Sequence, residues 1–385
     1  MLNTFKHGGI HPAENKLSAG KAIRKLTLPK SVFIPVTQHL GAPAQILVNK
    51  GDKVKAGQII ARAGGFVSAH IHSSVSGTIK KTDLLPDASG YPRQGVFIDV
   101  EGDEWEEGID TGDELIETFD TDSKAIIDKI NEAGIVGMGG ATFPTHVKLL
   151  PPQGMKADIL IINGVECEPY LTSDHRLMLE KGREILVGTR ILMHALQVKK
   201  AFIGIEKDAI GHLRTLTATD PSIQVVPLKV KYPQGGEKQL IKAVTGREVP
   251  SGALPVSVGV VVNNVATAFA VYEAVQKNKP LVERVVTVTG KSVKEPSNFL
   301  VRIGTPVQDL IEAAGGLPED TGKIISGGPM MGKAVASPEI PVTKGTSGVL
   351  LVPRDESTRR PVQTCIRCGR CLTVCPMGLE PYFLM

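Results

Sequence analysis

The chain has little of what several protein classes require. Its 385 residues include five cysteines, and only 4% are aromatic, with a single tryptophan. So few cysteines, four of them in one short run, exclude a disulfide-rich framework and are typical of a reducing compartment. The first residues lack the apolar core of a signal peptide, and no apolar run approaches the length of a transmembrane helix. We therefore expect no membrane span, and attachment to a membrane only through a partner.

The charge of the chain is low and evenly spread. Its 44 basic and 40 acidic side chains give a net charge of +4, which argues against nucleic acid as the main partner. The length is sufficient for two to four domains with sizeable cores.

The most informative segment is a run of four cysteines near the end. Cys365, Cys368, Cys371 and Cys375 have the spacing C-x2-C-x2-C-x3-C, followed by proline. Bacterial ferredoxins bind a [4Fe–4S] cluster through thiolates at this spacing. A structural zinc site usually adds a second cysteine pair or histidines further along the chain, and neither follows Cys375. The run therefore predicts an iron–sulfur site with these four metal ligands, in a protein that transfers electrons.

The number of native clusters is less clear from the same run. In two-cluster ferredoxins the fourth cysteine of one run ligates the other cluster, yet the sequence ends ten residues after Cys375. A single, locally closed cluster and a longer native chain are the alternatives, and the apolar ending favours a longer chain. The fifth cysteine, Cys167, is interpreted as a buried or pocket-lining thiol.

The N-terminal quarter has the pattern of a small β-structure. Residues 31–100 alternate short apolar segments with glycine turns, which predicts a sandwich of short strands. The pattern resembles the biotinyl/lipoyl-type barrel-sandwich domain. That family carries its cofactor on a lysine at a hairpin tip, and no such lysine lies between Gly57 and Ser73. We expect a structural or docking module rather than a carrier.

From Ser123 onward the apolar residues have a helical period. Four apolar runs then alternate with helical segments: the runs are at 157–162, 201–205, 223–228 and 256–262, and the helical segments at 176–196, 209–216, 237–244 and 265–275. This alternation predicts a covered, mostly parallel α/β sheet. Two strands, a helix and a strand between 284 and 327 indicate a small β-grasp-like module. The polar segment 338–360 then leads into the cysteine run.

A glycine-rich loop, GIVGMGGATFPTHVK at 134–148, follows the first predicted helix. Small residues let the backbone approach a ligand closely, and successive N–H groups can bind a phosphate. The spacing is not the Rossmann fingerprint, because Thr142 stands where the last glycine would fall. On spacing alone, a tight turn that binds nothing is at least as good an interpretation.

Three further segments place polar residues where open α/β sheets bind ligands, just beyond strand ends. They are 163–168, with an amide and two carboxylates, 235–238, with a glycine pair, and 263–264, with two amides. Each alone could be an ordinary turn or helix cap. Together and in this order, they resemble the NADH-oxidising flavoprotein family that includes the 51-kDa-type subunit of respiratory complex I. The barrel-sandwich segment narrows the resemblance to the C subunits of the Rnf (Rsx) electron-transport complexes.

The resemblance implies a multidomain α/β fold with four units. These are a barrel-sandwich (biotinyl/lipoyl-like) domain at 1–105, a Rossmann-like α/β domain that binds FMN and NADH at 115–278, a β-grasp (SLBB-like) domain at 281–337, and the start of a helical ferredoxin-type [4Fe–4S] domain at 355–385.

The resemblance also implies FMN in the glycine-loop pocket, NAD(H) as the hydride donor or acceptor, and two [4Fe–4S] clusters in the full family pattern. Lys148 and Lys238 would favour the anionic reduced flavin, and Phe143 would stack on the nicotinamide nucleotide. No catalytic acid or base is expected, because the cofactor carries the hydride chemistry. The implied cofactor-binding residues are Gly137, Gly139, Gly140, Phe143, Lys148, Asn163, Glu166, Glu168, Gly236, Glu237, Lys238, Asn263 and Asn264.

The function implied is that of a peripheral electron-input subunit on the cytoplasmic face of the cell membrane. It would pass electrons from NADH through FMN to the clusters, or in reverse, while partner subunits move the ion. Two alternatives remain. One is a soluble cobalamin reductase, although those reductases tend to begin at the flavin domain. The other is an adaptor with a vestigial nucleotide pocket, which Val165 and Pro151 favour because they depart from the complex I pattern.

Overall fold

The computed structural model describes residues 2–206 and 209–384. The strands are β1 (Ile23–Lys25), β2 (Ser31–Pro35), β3 (Gln45–Ile46), β4 (Lys53–Val54), β5 (Ile59–Arg62), β6 (Ile71–His72), β7 (Ser76–Pro86), β8 (Pro92–Gly102), β9 (Ile159–Gly164), β10 (Ala201–Ile205), β11 (Ile223–Pro227), β12 (Val260–Asn264), β13 (Glu283–Thr289), β14 (Ser297–Arg302), β15 (Thr321–Ser326), β16 (Lys333–Val335) and β17 (Gly348–Pro353). The helices are α1 (Ser123–Glu132), α2 (Thr145–Lys148), α3 (Ser173–Glu180), α4 (Gly182–Leu196), α5 (Ile210–Thr217), α6 (Glu237–Thr245), α7 (Val265–Lys277), α8 (Val307–Ala313), α9 (Arg354–Ser357) and α10 (Arg370–Val374), with 3-10 turns at Pro255–Val258 and Pro381–Leu384.

The N-terminal strands form the predicted barrel sandwich. One sheet has the order β2–β8–β7–β4 and the other the order β3–β5–β6. Alternate residues of these strands point into a common core, among them Ile34, Ile60 and Ile98, which are fully buried. Apolar side chains at every second position therefore pack between two sheets that are too short to be stable singly.

The central unit is the predicted parallel sheet, with helices packed against it. Its order is β11–β10–β9–β12, and every neighbouring pair is parallel. The strands read as continuous apolar runs because both faces are covered. Two details differ from the prediction. The segment 176–196 is divided between α3 and α4, which starts at Gly182, and 255–258 is a 3-10 turn that ends at Gly259, where φ is +75°.

The third unit is larger than the sequence indicated. Its sheet has the order β1–β14–β13–β17–β15–β16. It recruits β1 from before the barrel sandwich, and β17 from the segment that was expected only to lead into the cysteine run. Val349 and Leu351 of β17 are buried in the core. The short apolar run at 348–353 is a central strand of this sheet. The sequence alone does not identify it as a strand, because an apolar run of six residues could equally belong to a buried helix.

The cysteine run lies beside the N-terminal segment. The N–H of Gly9 donates to the carbonyl of Val374, at 2.7 Å. Gln239 of α6 also contacts the sulfur of Met377, at 3.6 Å. Within residues 2–206 and 209–384, every helix is too short or too polar to cross a bilayer.

Candidate functional site

The glycine loop is a compact turn with an open outer side. The N–H of Gly137 donates to the carbonyl of Phe143 at 2.8 Å, and the N–H of Thr142 donates back to Gly137 at 3.1 Å. Gly140 lies at the tip with φ at +107°. No heavy atom of the described chain lies within 4 Å of the place where a Cβ of residue 140 would stand. The loop therefore presents backbone, rather than side chains, to the space outside it.

Lys148 and Glu237 meet beside this loop. Lys148 is on α2, the short helix that follows the loop directly, and its Nζ donates to the carbonyl of Val262 at 3.0 Å. The same Nζ lies 3.1 Å from Glu237 Oε1. Glu237 is the first residue of α6, whose N-cap is Gly236. Three separate predicted segments are thus brought together at the carboxyl end of β12.

The asparagines at the ends of β9 and β12 lie at the same edge of the sheet. Asn163 Nδ2 donates to the carbonyl of Gly235 at 2.9 Å. Asn264 caps α7 by accepting from the N–H of Ala266 at 2.9 Å, and a Cβ on Gly139 would stand 3.5 Å from the Cβ of Asn264. Asn263 is only 3% exposed, and its Nδ2 finds no hydrogen-bond partner among the described residues. A buried amide without a partner is costly, so Asn263 is a candidate donor to a bound polar group.

The two predicted glutamates diverge. Glu166 caps the start of α3, where it accepts from Ser173 Oγ at 3.2 Å and from the N–H of Asp174 at 3.1 Å. Glu168 turns toward the third unit, and its Oε1 accepts from the N–H groups of Met330 and Met331. Burial raises the pKa of Glu168.

Lys238 lies apart from this group. Its Nζ donates to the carbonyl of Pro250 at 2.9 Å, on the exposed side of α6. Successive residues of a helix point about 100° apart, so Glu237 and Lys238 face in different directions. Phe143 is half-buried at the base of the loop.

Asp174 is a site residue that the sequence motifs did not indicate. It is partly buried, and its Oδ2 accepts from Asn264 Nδ2 at 2.6 Å. Burial and the neighbouring Glu166 raise the pKa of Asp174 to about 7. An acidic residue in the first turn of a helix is common for dipole reasons, so nothing in the sequence distinguishes this one.

Cys167 lines a cavity of about 210 Å³ between the 163–168 segment and the N-terminal residues 11–16. Its Sγ accepts from the N–H of Gly235 at 3.4 Å, and burial raises the pKa of the thiol to about 11. A raised pKa lowers the thiolate fraction, and the thiolate is the nucleophilic form of cysteine. The prediction of a pocket-lining thiol is confirmed. Other residues around the cavity are His11, Glu14, Lys16, Glu206 and Tyr232.

The four cysteines of the run are free thiols near the surface. Cys365, Cys368 and Cys371 are exposed, and Cys375 is partly buried. The N–H of Leu379 donates to Cys375 Sγ at 3.4 Å, and this bond, with two further N–H groups, lowers the pKa of Cys375. Within the described part of the chain, no three potential ligands are yet close enough together to hold a metal. Among the described residues, the four thiols are thus suitable metal ligands that are not arranged around one point.

Comparison with known proteins follows the same division of the chain. Residues 4–103 match the RnfC barrel sandwich hybrid domain, 130–273 match the Nuo51 FMN-binding domain, and 285–334 match the SLBB domain. The C subunit of the proton-translocating ferredoxin:NAD+ oxidoreductase complex of Clostridium ljungdahlii is 48% identical over 388 residues, which cover 100% of this chain and 84% of that protein. The chain belongs to the family of C subunits of ion-translocating oxidoreductase complexes.

Other members of this C-subunit family are similar over nearly the whole chain. The Na+-translocating counterpart from Acetobacterium woodii is 45% identical over 392 residues, covering 98% of this chain and 86% of that protein. The family member from Rhodobacter capsulatus is 41% identical over 394 residues, covering 100% of this chain and 75% of that protein. The resemblance noted in the sequence is confirmed, and the chain is an electron-transfer subunit of an oxidoreductase complex.

A solved structure shares the fold over part of this protein. NAD+-reducing [NiFe]-hydrogenase in its H2-reduced state covers 60% of this chain and 46% of its own, with a TM-score of 0.50 and 24% identity. The FMN-binding match contains the glycine loop, Asn163 and Asn264. The cysteine run lies outside all three matched segments.

Proposed function

We propose that this protein exchanges electrons between NAD(H) and FMN held at the glycine loop, and between FMN and [4Fe–4S] chemistry at the cysteine run. It would do so as a peripheral subunit on the cytoplasmic face of a membrane, within a complex whose other subunits move the ion. The observation that carries this proposal is the convergence of the open glycine loop, Lys148 and Asn264 at one edge of the parallel sheet.

The residues at this edge suit a flavin mononucleotide. Gly139 and Gly140 offer backbone without side chains, as close approach of a phosphate requires. Lys148, on the short helix that follows the loop, supplies a positive charge at this sheet edge, and the unpartnered Nδ2 of Asn263 supplies a buried donor. Bound FMN contributes hydride exchange with NAD(H) and release of single electrons.

The protein's own part is to hold and shield this group. Glu237 and the carbonyl of Val262 fix the Lys148 ammonium in one position. The barrel sandwich covers one flank of the loop, since the N–H of Leu40 donates to the carbonyl of Thr142 at 3.2 Å. These contacts restrict the loop before any ligand binds, which lowers the entropic cost of binding.

The cysteine run suits iron–sulfur chemistry through its donors. Thiolates at this spacing are the usual ligands, and N–H···S bonds such as those to Cys375 tune such clusters. A preformed metal site is rare without its metal, because binding and local folding are coupled. We therefore propose that Cys365, Cys368, Cys371 and Cys375 gather around the cluster as it assembles.

An anaerobic NADH titration of the FMN-reconstituted protein tests the proposed function. We expect the flavin absorbance band to bleach at about one NADH per bound FMN. Failure of FMN to bind, or bound FMN that stays oxidised, would contradict the proposal. Such an outcome would favour an adaptor with a vestigial nucleotide pocket.

Replacement of Lys148 by alanine is expected to weaken FMN binding by roughly tenfold to a hundredfold, since a charge-assisted hydrogen bond contributes about 1.5–3 kcal/mol. Fluorescence titration of apoprotein with FMN measures the change. Lys238→Ala is the matched control, because the Lys238 ammonium is bound to Pro250 on another face of α6. Equal losses in the two variants would show that Lys148 has no special role.

A further inference from the structure

Two buried basic side chains of the third unit contact the glycine loop. Arg284 of β13 is 2% exposed, and Lys344, in the segment before β17, is 1% exposed. Neither belongs to the flavoprotein motifs, and both lie outside the segment 130–273 that matches the FMN-binding domain. We call Arg284 and Lys344 the buried basic pair.

The pair holds the first half of the loop at both ends. Arg284 Nη2 donates to the carbonyl of Met138 at 2.9 Å. Lys344 Nζ donates to the carbonyl of Gly134 at 2.7 Å and to the carbonyl of His70 at 2.8 Å. Arg284 Nη1 also donates to the backbone carbonyl of Lys344, so the Arg284 side chain holds the chain segment that carries Lys344.

The bond to the Met138 carbonyl also fixes the direction of the next amide N–H. In a trans peptide the C=O of one residue and the N–H of the next point in opposite directions. Arg284 draws the Met138 carbonyl toward the buried side, so the N–H of Gly139 is turned away from Arg284, toward the outer side of the loop. Gly139 is one of the residues whose backbone is proposed to meet the phosphate of FMN.

The same arginine reaches the strand-end side of the pocket. Asp174 and Glu166 are the acidic groups that interact with it, and Asp174 is bonded to Asn264, which adjoins Gly139. Arg284 thus contacts the loop directly and influences the asparagine side through Asp174.

Burying this pair is expensive for the fold. Burial lowers the pKa of Arg284 to about 10 and that of Lys344 to about 7, because both lose the solvation that stabilises their charged forms. Lys344 donates only to neutral carbonyls through its Nζ. An apolar side chain would fill the same space at lower cost, unless the hydrogen bonds to the loop are needed.

We infer that Arg284 is a positioning residue that orients the Gly139 amide toward the phosphate of the flavin nucleotide, and that Lys344 supports it by fixing the start of the loop at Gly134. The inference rests on the proposed FMN site and deepens it, since it makes phosphate recognition by the second unit depend on the third. The ligand selected is a flavin bearing a 5′-phosphate, in preference to the same flavin without one.

The experiment compares FMN with riboflavin, which lacks the phosphate, in wild-type protein and in Arg284→Met and Lys344→Met. We expect the wild type to prefer FMN, and Arg284→Met to lose at least about tenfold of that preference, as loss of one oriented donor to a charged group would give. Lys344→Met, which frees only the start of the loop, should lose a smaller part of the preference. Riboflavin binding should change by less than about threefold, because loop orientation matters little to it. Arg284→Lys and Lys344→Arg, which keep a donor, should retain part of the preference and are available if the methionine variants fold poorly.

Arg302→Met is the matched control. Arg302 lies on β14 of the same sheet, is 4% exposed, and donates to the carbonyl of Ser74 rather than to the loop. It should lower stability and leave the ratio of FMN to riboflavin affinity unchanged. If the variants of the buried basic pair keep the wild-type ratio, or lose no more than Arg302→Met, the inference is wrong.

Amide hydrogen exchange of the apoprotein separates this inference from the proposed function. Residues 137–142 should exchange faster in Arg284→Met than in Arg302→Met, whether or not any flavin binds. If wild-type protein binds no FMN, the proposed function fails, while faster exchange still supports the positioning role. Unchanged exchange in Arg284→Met would overturn the positioning role by itself.

Discussion

Replacing Cys368 or Cys371 by serine is expected to prevent assembly of the proposed iron–sulfur cluster. Both thiols are exposed. Each is proposed to ligate the cluster, because it belongs to the run of cysteines with ferredoxin spacing. A serine hydroxyl is a harder and far less acidic donor than a thiol, and clusters of this type are held by thiolates. Iron content and the visible absorbance of anaerobically reconstituted protein should fall to background.

Cys167→Ser is the control for this prediction. Cys167 is partly buried and lies about 200 residues before the run. Its Sγ accepts from the N–H of Gly235, a role that a serine oxygen can fill. This variant should retain iron and absorbance at the wild-type level. Iron retained in Cys368→Ser, or lost in Cys167→Ser, would contradict the assignment of ligands. Wild-type protein that binds colourless zinc in place of iron would contradict the cluster itself.

Replacing Gly188 by alanine is expected to destabilise the central unit by about 3 kcal/mol. Gly188 lies in α4 where that helix crosses α7, and a Cβ there would stand 1.9 Å from the carbonyl oxygen of Ala268. The obstacle is backbone, so no rotamer change relieves it, and the two helices must separate. The better helix propensity of alanine recovers only about 1 kcal/mol. Denaturant unfolding followed by circular dichroism measures the loss.

Gly211→Ala tests the same substitution where there is room. Gly211 is an exposed residue of α5, and no described heavy atom lies within 4 Å of its Cβ position. Alanine should therefore raise the free energy of unfolding by about 0.5–1 kcal/mol, because glycine loses more backbone entropy on folding. A destabilising Gly211→Ala, or a neutral Gly188→Ala, would show that the approach of α4 to α7 is not limiting.

Particular residues show which parts of this protein could be predicted from its sequence. The glycine turns of 31–100 and the apolar runs of the central unit predicted their strands, because a period of two and a covered parallel strand are local properties. The order of the glycine loop, Asn163 and Asn264 predicted the family, which the similarity to other C subunits confirms. The order of the motifs suggested that Lys148 and Glu237 belong to one pocket. The fold shows that they are in contact, because it brings α2 and α6 together.

Lys238 and β17 show what local pattern could not decide. Lys238 and Lys148 look equivalent in the motif, yet the rotation between successive helical residues turns Lys238 toward Pro250. β17 was hidden in a polar segment, since its place between β13 and β15 depends on partners far away in sequence.

Local sequence pattern was enough to predict the strands of the barrel sandwich and of the central sheet, the spacing of the four cysteines and the family. Those features depend on residues that are neighbours along the chain. Folding is what brings Asp174 into hydrogen-bond contact with Asn264, and what places Arg284 and Lys344 of a different unit on the carbonyls of the glycine loop. Their partners are backbone carbonyls and distant side chains, and a backbone carbonyl is present at every residue. Such contacts therefore leave no mark in the sequence, although they fix the direction in which the loop presents its amides.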